Sequence, residues 1–173
     1  MDLRYPIGPF KFDGEPNESQ LKQFISEIEQ TPARLRAAVN GLSEQQLETP
    51  YRPGGWTARQ VVHHLPDSHM NGYVRIKLAL TEDNPTIKPY DEARWAETPE
   101  VHSMPINVSL AMLEALHQRW VTLLKQLKAA DFARTFTHPE SGAWTIGRYV
   151  ASYSWHGKHH VAHITSLRQR MGW

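Results

Sequence analysis

The chain contains no cysteine. That absence excludes a disulfide framework, a thiolate metal ligand and a cysteine nucleophile together, so a transition-metal site here must use histidine and carboxylate. No stretch approaches the roughly 20 apolar residues of a membrane helix, and Met1-Asp2-Leu3-Arg4-Tyr5-Pro6 lacks the apolar core of a secretion signal. Lysines and arginines are scattered, and the formal charge is only +1. Neither nucleic acid nor a membrane is therefore expected as a partner, and the expected location is the cytoplasm. Nothing reads as a regular set of strands.

Histidine is abundant. Four of the ten histidines fall in Trp155-His156-Gly157-Lys158-His159-His160-Val161-Ala162-His163-Ile164, which otherwise reads as a buried helix. Histidines four apart share one helix face and can hold a divalent metal. An expression tag is a poor reading, because apolar residues interrupt the run and it continues into Leu167, Met171 and Trp173.

At 173 residues the chain suits one domain, 1–173, long enough to bury a core. Residues 1–16, with Pro6, Gly8, Pro9, Gly14 and Pro16, predict an extended lead-in. A first helix follows through Leu21, Phe24, Ile25, Ile28, Leu35 and Val39, and Pro32 predicts a kink or a restart with Thr31 as N-cap. Thr57-Ala58-Arg59-Gln60 is a capping box, with Trp56 and Val61 placed for a hydrophobic staple; it opens a second helix that runs to about Leu80 and bends at Pro66. Residues 81–106 are too long for an ordinary helix-to-helix loop and predict a crossover. Leu110, Leu113, Leu116, Trp120, Leu124 and Leu127 mark a third helix, and Trp144-Thr145 opens a fourth that ends near Met171. The fold class is all-α: a four-helix bundle with a long crossover between the second and third helices and a metal site between helices.

Helix geometry ranks the histidines, since each residue turns about 100° around the axis. With His156 at zero, the apolar residues of the fourth helix centre near about +60°; His156 and His160 average about +20°, His159 and His163 about −40°. His156 and His160 are thus the better ligand pair, His163 a satisfied interior histidine or else a partner to a ligand, and His159 a solvated residue. In the second helix His63 points away from the Val61/Val62/Leu65 face and reads as a surface residue. Periodicity leaves His64 and His69 both open as third ligand, with a slight preference for His69.

The block Gly55-Trp56-Thr57-Ala58-Arg59-Gln60-Val61-Val62-His63-His64-Leu65-Pro66-Asp67-Ser68-His69-Met70-Asn71, with Tyr5-Pro6-Ile7-Gly8, Arg94-Trp95 and Trp155-His156 through Gly172-Trp173, resembles the DinB/YfiT-like metalloenzyme superfamily, and its YfiT-type metal-dependent hydrolases in particular. The resemblance spans nearly the whole chain and departs at Pro66. It implies His64, His156 and His160 as the metal ligands, a four-helix bundle and a cytoplasmic homodimer.

Three neutral imidazoles suit one zinc or nickel ion per subunit and leave a coordination position open. The expected activity is hydrolysis of a small-molecule substrate. The alternative is S-transfer from a low-molecular-weight thiol of the bacillithiol type, which the metal would hold as thiolate. A non-catalytic, metal-stabilised binding module would need a fourth protein ligand, such as His69 or Asp67, to close the site. The sequence singles out no general base; Asp67, His159, His163 and Tyr153 are candidates by position only.

Overall fold

Each of three long helices starts where a side chain satisfies its first free amide groups. The computed structural model describes residues 2–173. In α1 (Glu18–Val39) Asn17 and Gln20 form a reciprocal capping box, and in α3 (Ala58–Thr81) Thr57 and Gln60 form the one read from the sequence. Thr145 caps α8 (Ile146–Met171) by accepting from the Arg148 amide, and Gly172 ends it with φ of 72°. The other long helix, α6 (Ile106–Gln126), follows Pro105, which fixes φ before its first turn. Short helices fill the connections: α2 (Glu44–Leu47), α4 (Glu92–Trp95), α5 (Pro99–Ser103) and α7 (Ala129–Phe132).

Round the bundle the order is α1–α6–α3–α8, because α1 and α3 each pack against both α6 and α8. α1 and α3, consecutive long helices, therefore stand on a diagonal, and residues 82–105 carry the chain between α3 and α6. None of the described helices is long and apolar enough to cross a membrane.

Two features differ from the sequence expectation. A two-stranded antiparallel hairpin, β1 (Thr135–His138) and β2 (Gly142–Thr145), precedes α8, with Phe136 opposite Trp144. Four-residue strands are too short to show alternation. Tertiary packing fixes them instead: Phe136 is fully buried with its ring 4.8 Å from that of Tyr149. The second difference is that α1 runs unbroken through Pro32. Thr31 is not a cap; its hydroxyl donates back to the Glu27 carbonyl at 3.0 Å. The Ile28 carbonyl, deprived of its helical donor by Pro32, accepts instead from His117 Nδ1 at 2.7 Å. α3 likewise runs continuously through Pro66.

The core divides into two apolar clusters. One contains Ile28, Ile76, Trp120, Phe136 and Tyr153, the other Leu35, Leu65, Leu113, Ile164 and Leu167. Between them each long helix places polar groups: Thr31 on α1, Ser68 and His69 on α3, His117 on α6, and His156 and His160 on α8. Such a layer is costly unless its members are hydrogen-bonded or ligate a metal.

Close helix contact depends on Gly157. A Cβ there would lie 2.6 Å from Thr31 Oγ1 and 2.8 Å from its Cγ2, so α8 touches α1 at this point. Gly157→Ala is expected to cost about 1–3 kcal/mol by overpacking, read as a lower thermal midpoint. An unchanged midpoint would mean that the two helices are not in contact here.

Candidate metal centre

His64 lies in the second turn of α3, while His156 and His160 lie one turn apart on α8, its neighbour in the bundle. One ring nitrogen from each falls within 4.8 Å of the other two. His64 Nε2 and His156 Nε2 are 3.4 Å apart. A tetrahedral ion about 2.0–2.1 Å from each nitrogen sets its ligands about 3.4 Å apart, so this pair already has the spacing of a metal chelate. Among the described residues no fourth His, Asp or Glu joins the group.

Electrostatics favour a ligand set of neutral imidazoles. Burial pushes His64 down to about 4 and holds His156 and His160 well below the usual imidazole range, with the neighbouring histidines adding to the effect. At neutral pH all three rings therefore keep a lone pair, the form a metal requires. The Trp56 ring, just before the α3 cap, lies 4.6 Å from His64 and 6.3 Å from His160 and walls one side.

Of the four other histidines that periodicity ranks, two lie where it puts them and two do not. His69 is fully buried, as its phase suggested, but it stands behind the triad with Nε2 3.1 Å from His156 Nδ1. His163 is interior as expected: Nδ1 is 3.4 Å from His160 Nδ1, Nε2 is 3.1 Å from the Arg4 carbonyl, and Tyr51 stacks on the ring at 3.9 Å. His159 is buried, not solvated, and stacks on Trp155 at 4.3 Å beneath Tyr5. His63 is also buried, not exposed, with Nδ1 2.7 Å from Ser109 Oγ. Both corrections have one cause. Periodicity describes the face turned to the bundle axis, and the lead-in segment and the start of α6 cover the outer faces of α8 and α3. Tyr153 is occupied structurally, its hydroxyl donating to the Ser68 carbonyl at 2.9 Å.

Asp67 is half-buried, and burial raises its carboxyl to about 6, with Glu100 adding to the shift. Its neighbour Ser68 places Oγ 3.5 Å from His156 Nε2. A cavity of about 260 Å³ borders His156 and is lined by Phe10, Arg75, Trp144, Tyr149 and Trp155. A larger one, about 820 Å³, lies between α1 and the end of α6 and touches none of the triad. Of these two cavities only the smaller borders a candidate ligand, His156. In it Arg75 is held by the Tyr149 hydroxyl at 2.9 Å and the Lys88 carbonyl at 3.3 Å.

The DinB superfamily model matches residues 27–164, a span that includes all three candidate ligands. A protein of Oceanobacillus iheyensis named "Putative metal-dependent hydrolase" is 55% identical over 173 residues, covering all of both chains. A Bacillus mycoides protein of the same name is 56% identical over 172 residues, 99% of each chain. Among solved structures, YfiT from Bacillus subtilis, described as "a probable metal-dependent hydrolase with an unusual four-helix bundle topology", superposes with a TM-score of 0.97 at 47% identity, over 100% of this chain and 99% of that one. TT2238, a four-helix bundle protein, matches with a TM-score of 0.56 at 18% identity over 82% of this chain and 94% of its own, a likeness of fold alone. The chain belongs to the DinB superfamily.

Proposed function

We propose that this protein is a metal-dependent hydrolase whose single divalent ion, zinc or nickel, is held by His64, His156 and His160. The observation that carries the reading is the trio of neutral imidazoles, His64 and His160 buried and His156 half-buried, with no fourth protein ligand among the described residues. Such an ion supplies a Lewis acid that polarises a carbonyl and lowers the pKa of bound water towards about 7. The open side argues against a purely structural site, which four protein groups would close. The names of the relatives point the same way.

The chain's own groups divide the remaining work. The aromatic cavity beside His156 takes a small-molecule substrate, and Arg75 offers its guanidinium to an oxygen of that molecule. Asp67 is a better general base than His163, because both ring nitrogens of His163 are engaged and Tyr51 covers one face. A carboxylate with its pKa raised to about 6 is ionised yet appreciably basic at pH 7.

The test is a turnover screen of zinc- and nickel-loaded protein with ester and amide substrates, and with electrophiles in the presence and absence of a bacillithiol-type thiol. Hydrolysis without thiol is the expected result. Product formed only with thiol would replace the hydrolase reading by S-transfer. Asp67→Asn is expected to lower kcat by about 10²–10⁴ with the metal retained, and an unchanged kcat would remove Asp67 from the reaction.

A further inference from the structure

His117 belongs to no reading above, yet it is buried at 2% exposure in the polar layer of the bundle. Its Nδ1 lies 2.7 Å from the Ile28 carbonyl, its Nε2 lies 2.7 Å from His69 Nδ1, and His69 Nε2 lies 3.1 Å from His156 Nδ1. The hydrogens along this chain can be assigned from one end. A carbonyl oxygen only accepts, so His117 Nδ1 carries a hydrogen; its neutral ring then has a bare Nε2. That nitrogen accepts from His69 Nδ1–H, which leaves His69 Nε2 bare to accept from His156 Nδ1–H. The last ring is left with its lone pair on Nε2, the atom that faces His64.

α8's other ligand ends in the same state by a separate route. The Arg4 carbonyl accepts from His163 Nε2–H, leaving Nδ1 bare to accept from His160 Nδ1–H, and the His160 lone pair falls on Nε2. Both chains finish on a backbone carbonyl that serves no helical amide. Arg4 lies in a turn of the N-terminal lead-in, and Ile28 is freed by Pro32.

We propose that His117 and His69 are positioning residues that lock His156 in its Nδ1–H tautomer and aim Nε2 into the metal centre, with His163 doing the same for His160. This rests on the three-histidine metal reading for the purpose of the lock, but the tautomers themselves are a property of the metal-free protein. Pro32 is part of the device, since an ordinary residue there would return an amide to the Ile28 carbonyl and compete with His117.

Two measurements test this, and neither reads turnover. Long-range ¹H–¹⁵N correlation spectra of the metal-free wild-type protein report which ring nitrogen carries hydrogen. Nδ1–H is expected for His117, His69, His156 and His160, and Nε2–H for His163; His156 found as Nε2–H would overturn the proposal. Zinc affinity, measured by competition with a chromophoric chelator, is expected to fall about 10–100-fold in His117→Leu. His117→Gln, whose amide keeps one donor and one acceptor, is expected to stay within about threefold of wild type. Equal weakening in both variants, or none in His117→Leu, would overturn the lock. If zinc fails to bind the wild-type protein at all while the tautomers are as assigned, the metal reading fails and the hydrogen-bond assignment stands.

Discussion

His64→Ala is expected to weaken zinc or nickel binding by at least about a hundredfold and to abolish the metal-dependent activity with it. A four-ligand zinc site is worth roughly 10–16 kcal/mol, so one ligand accounts for about 3 kcal/mol, a factor of about 100 in affinity. The two remaining histidines are neighbours on α8 and cannot replace a ligand that comes from α3. His69 is no substitute either, because its Nε2 is directed at His156 Nδ1 behind the site. The fold should survive, since His64 lies inside a continuous α3 that alanine favours. Chelator competition on purified variant and wild type checks the affinity, and circular dichroism checks the helix content. Wild-type affinity in the variant would remove His64 from the site.

A second large effect is expected with acid. Nine histidines are held below the usual imidazole range: His63, His64, His69, His117, His138, His156, His159, His160 and His163, each chiefly by burial. A group whose folded pKa lies below its unfolded value leaves the unfolded chain binding more protons between the two, so stability falls as pH falls through that window. For His117, pushed down to about 4 from 6.5, the loss begins near pH 6.5 and is about 3 kcal/mol by pH 4. Asp67 acts in the opposite sense: raised to about 6, it contributes stability at low pH that is lost as pH rises through 6. One half-buried carboxyl does not offset several buried imidazoles. Glu27 works with the histidines instead, because Lys158, Ser154 and Gln23 overcome the cost of its burial and hold its carboxyl low. The metal-free protein is therefore expected to unfold cooperatively between about pH 6.5 and 4, since total stability is only about 5–15 kcal/mol. Urea midpoints recorded across that range test this, and a flat profile from pH 7 to 4.5 would contradict it. Bound metal should shift the transition to lower pH until protons displace it from the ligands.

How far the site was legible depended on which surface each residue faces. The three-and-four spacing of Tyr149, Tyr153, His156, His160 and His163 singles out His156 and His160 as the inner pair of α8, and the structure brings these two together with His64. His64 and His69 both face inward on α3, so phase alone does not separate them; the family resemblance implies His64, and His69 stands behind the triad against His156. Phase marks His159 and His63 as exposed because the layers covering them, the lead-in segment and the start of α6, come from distant parts of the chain. His117 was missed although a signal existed. It lies one turn after Leu113 and three residues before Trp120 in an apolar stripe, where a histidine must find a buried partner. The hairpin was missed because its strands are short and are held by Phe136 packing on Tyr149 rather than by their own pattern.

His64, His156 and His160 together are expected to hold one ion with a side left open. X-ray absorption on protein loaded with zinc, alongside elemental analysis of metal per chain, tests it most directly. One zinc per chain is expected, with a first shell of three imidazole nitrogens at about 2.0–2.1 Å and at least one further light-atom ligand from solvent. A shell of four protein ligands, or no stoichiometric zinc, would rule out an open three-histidine site.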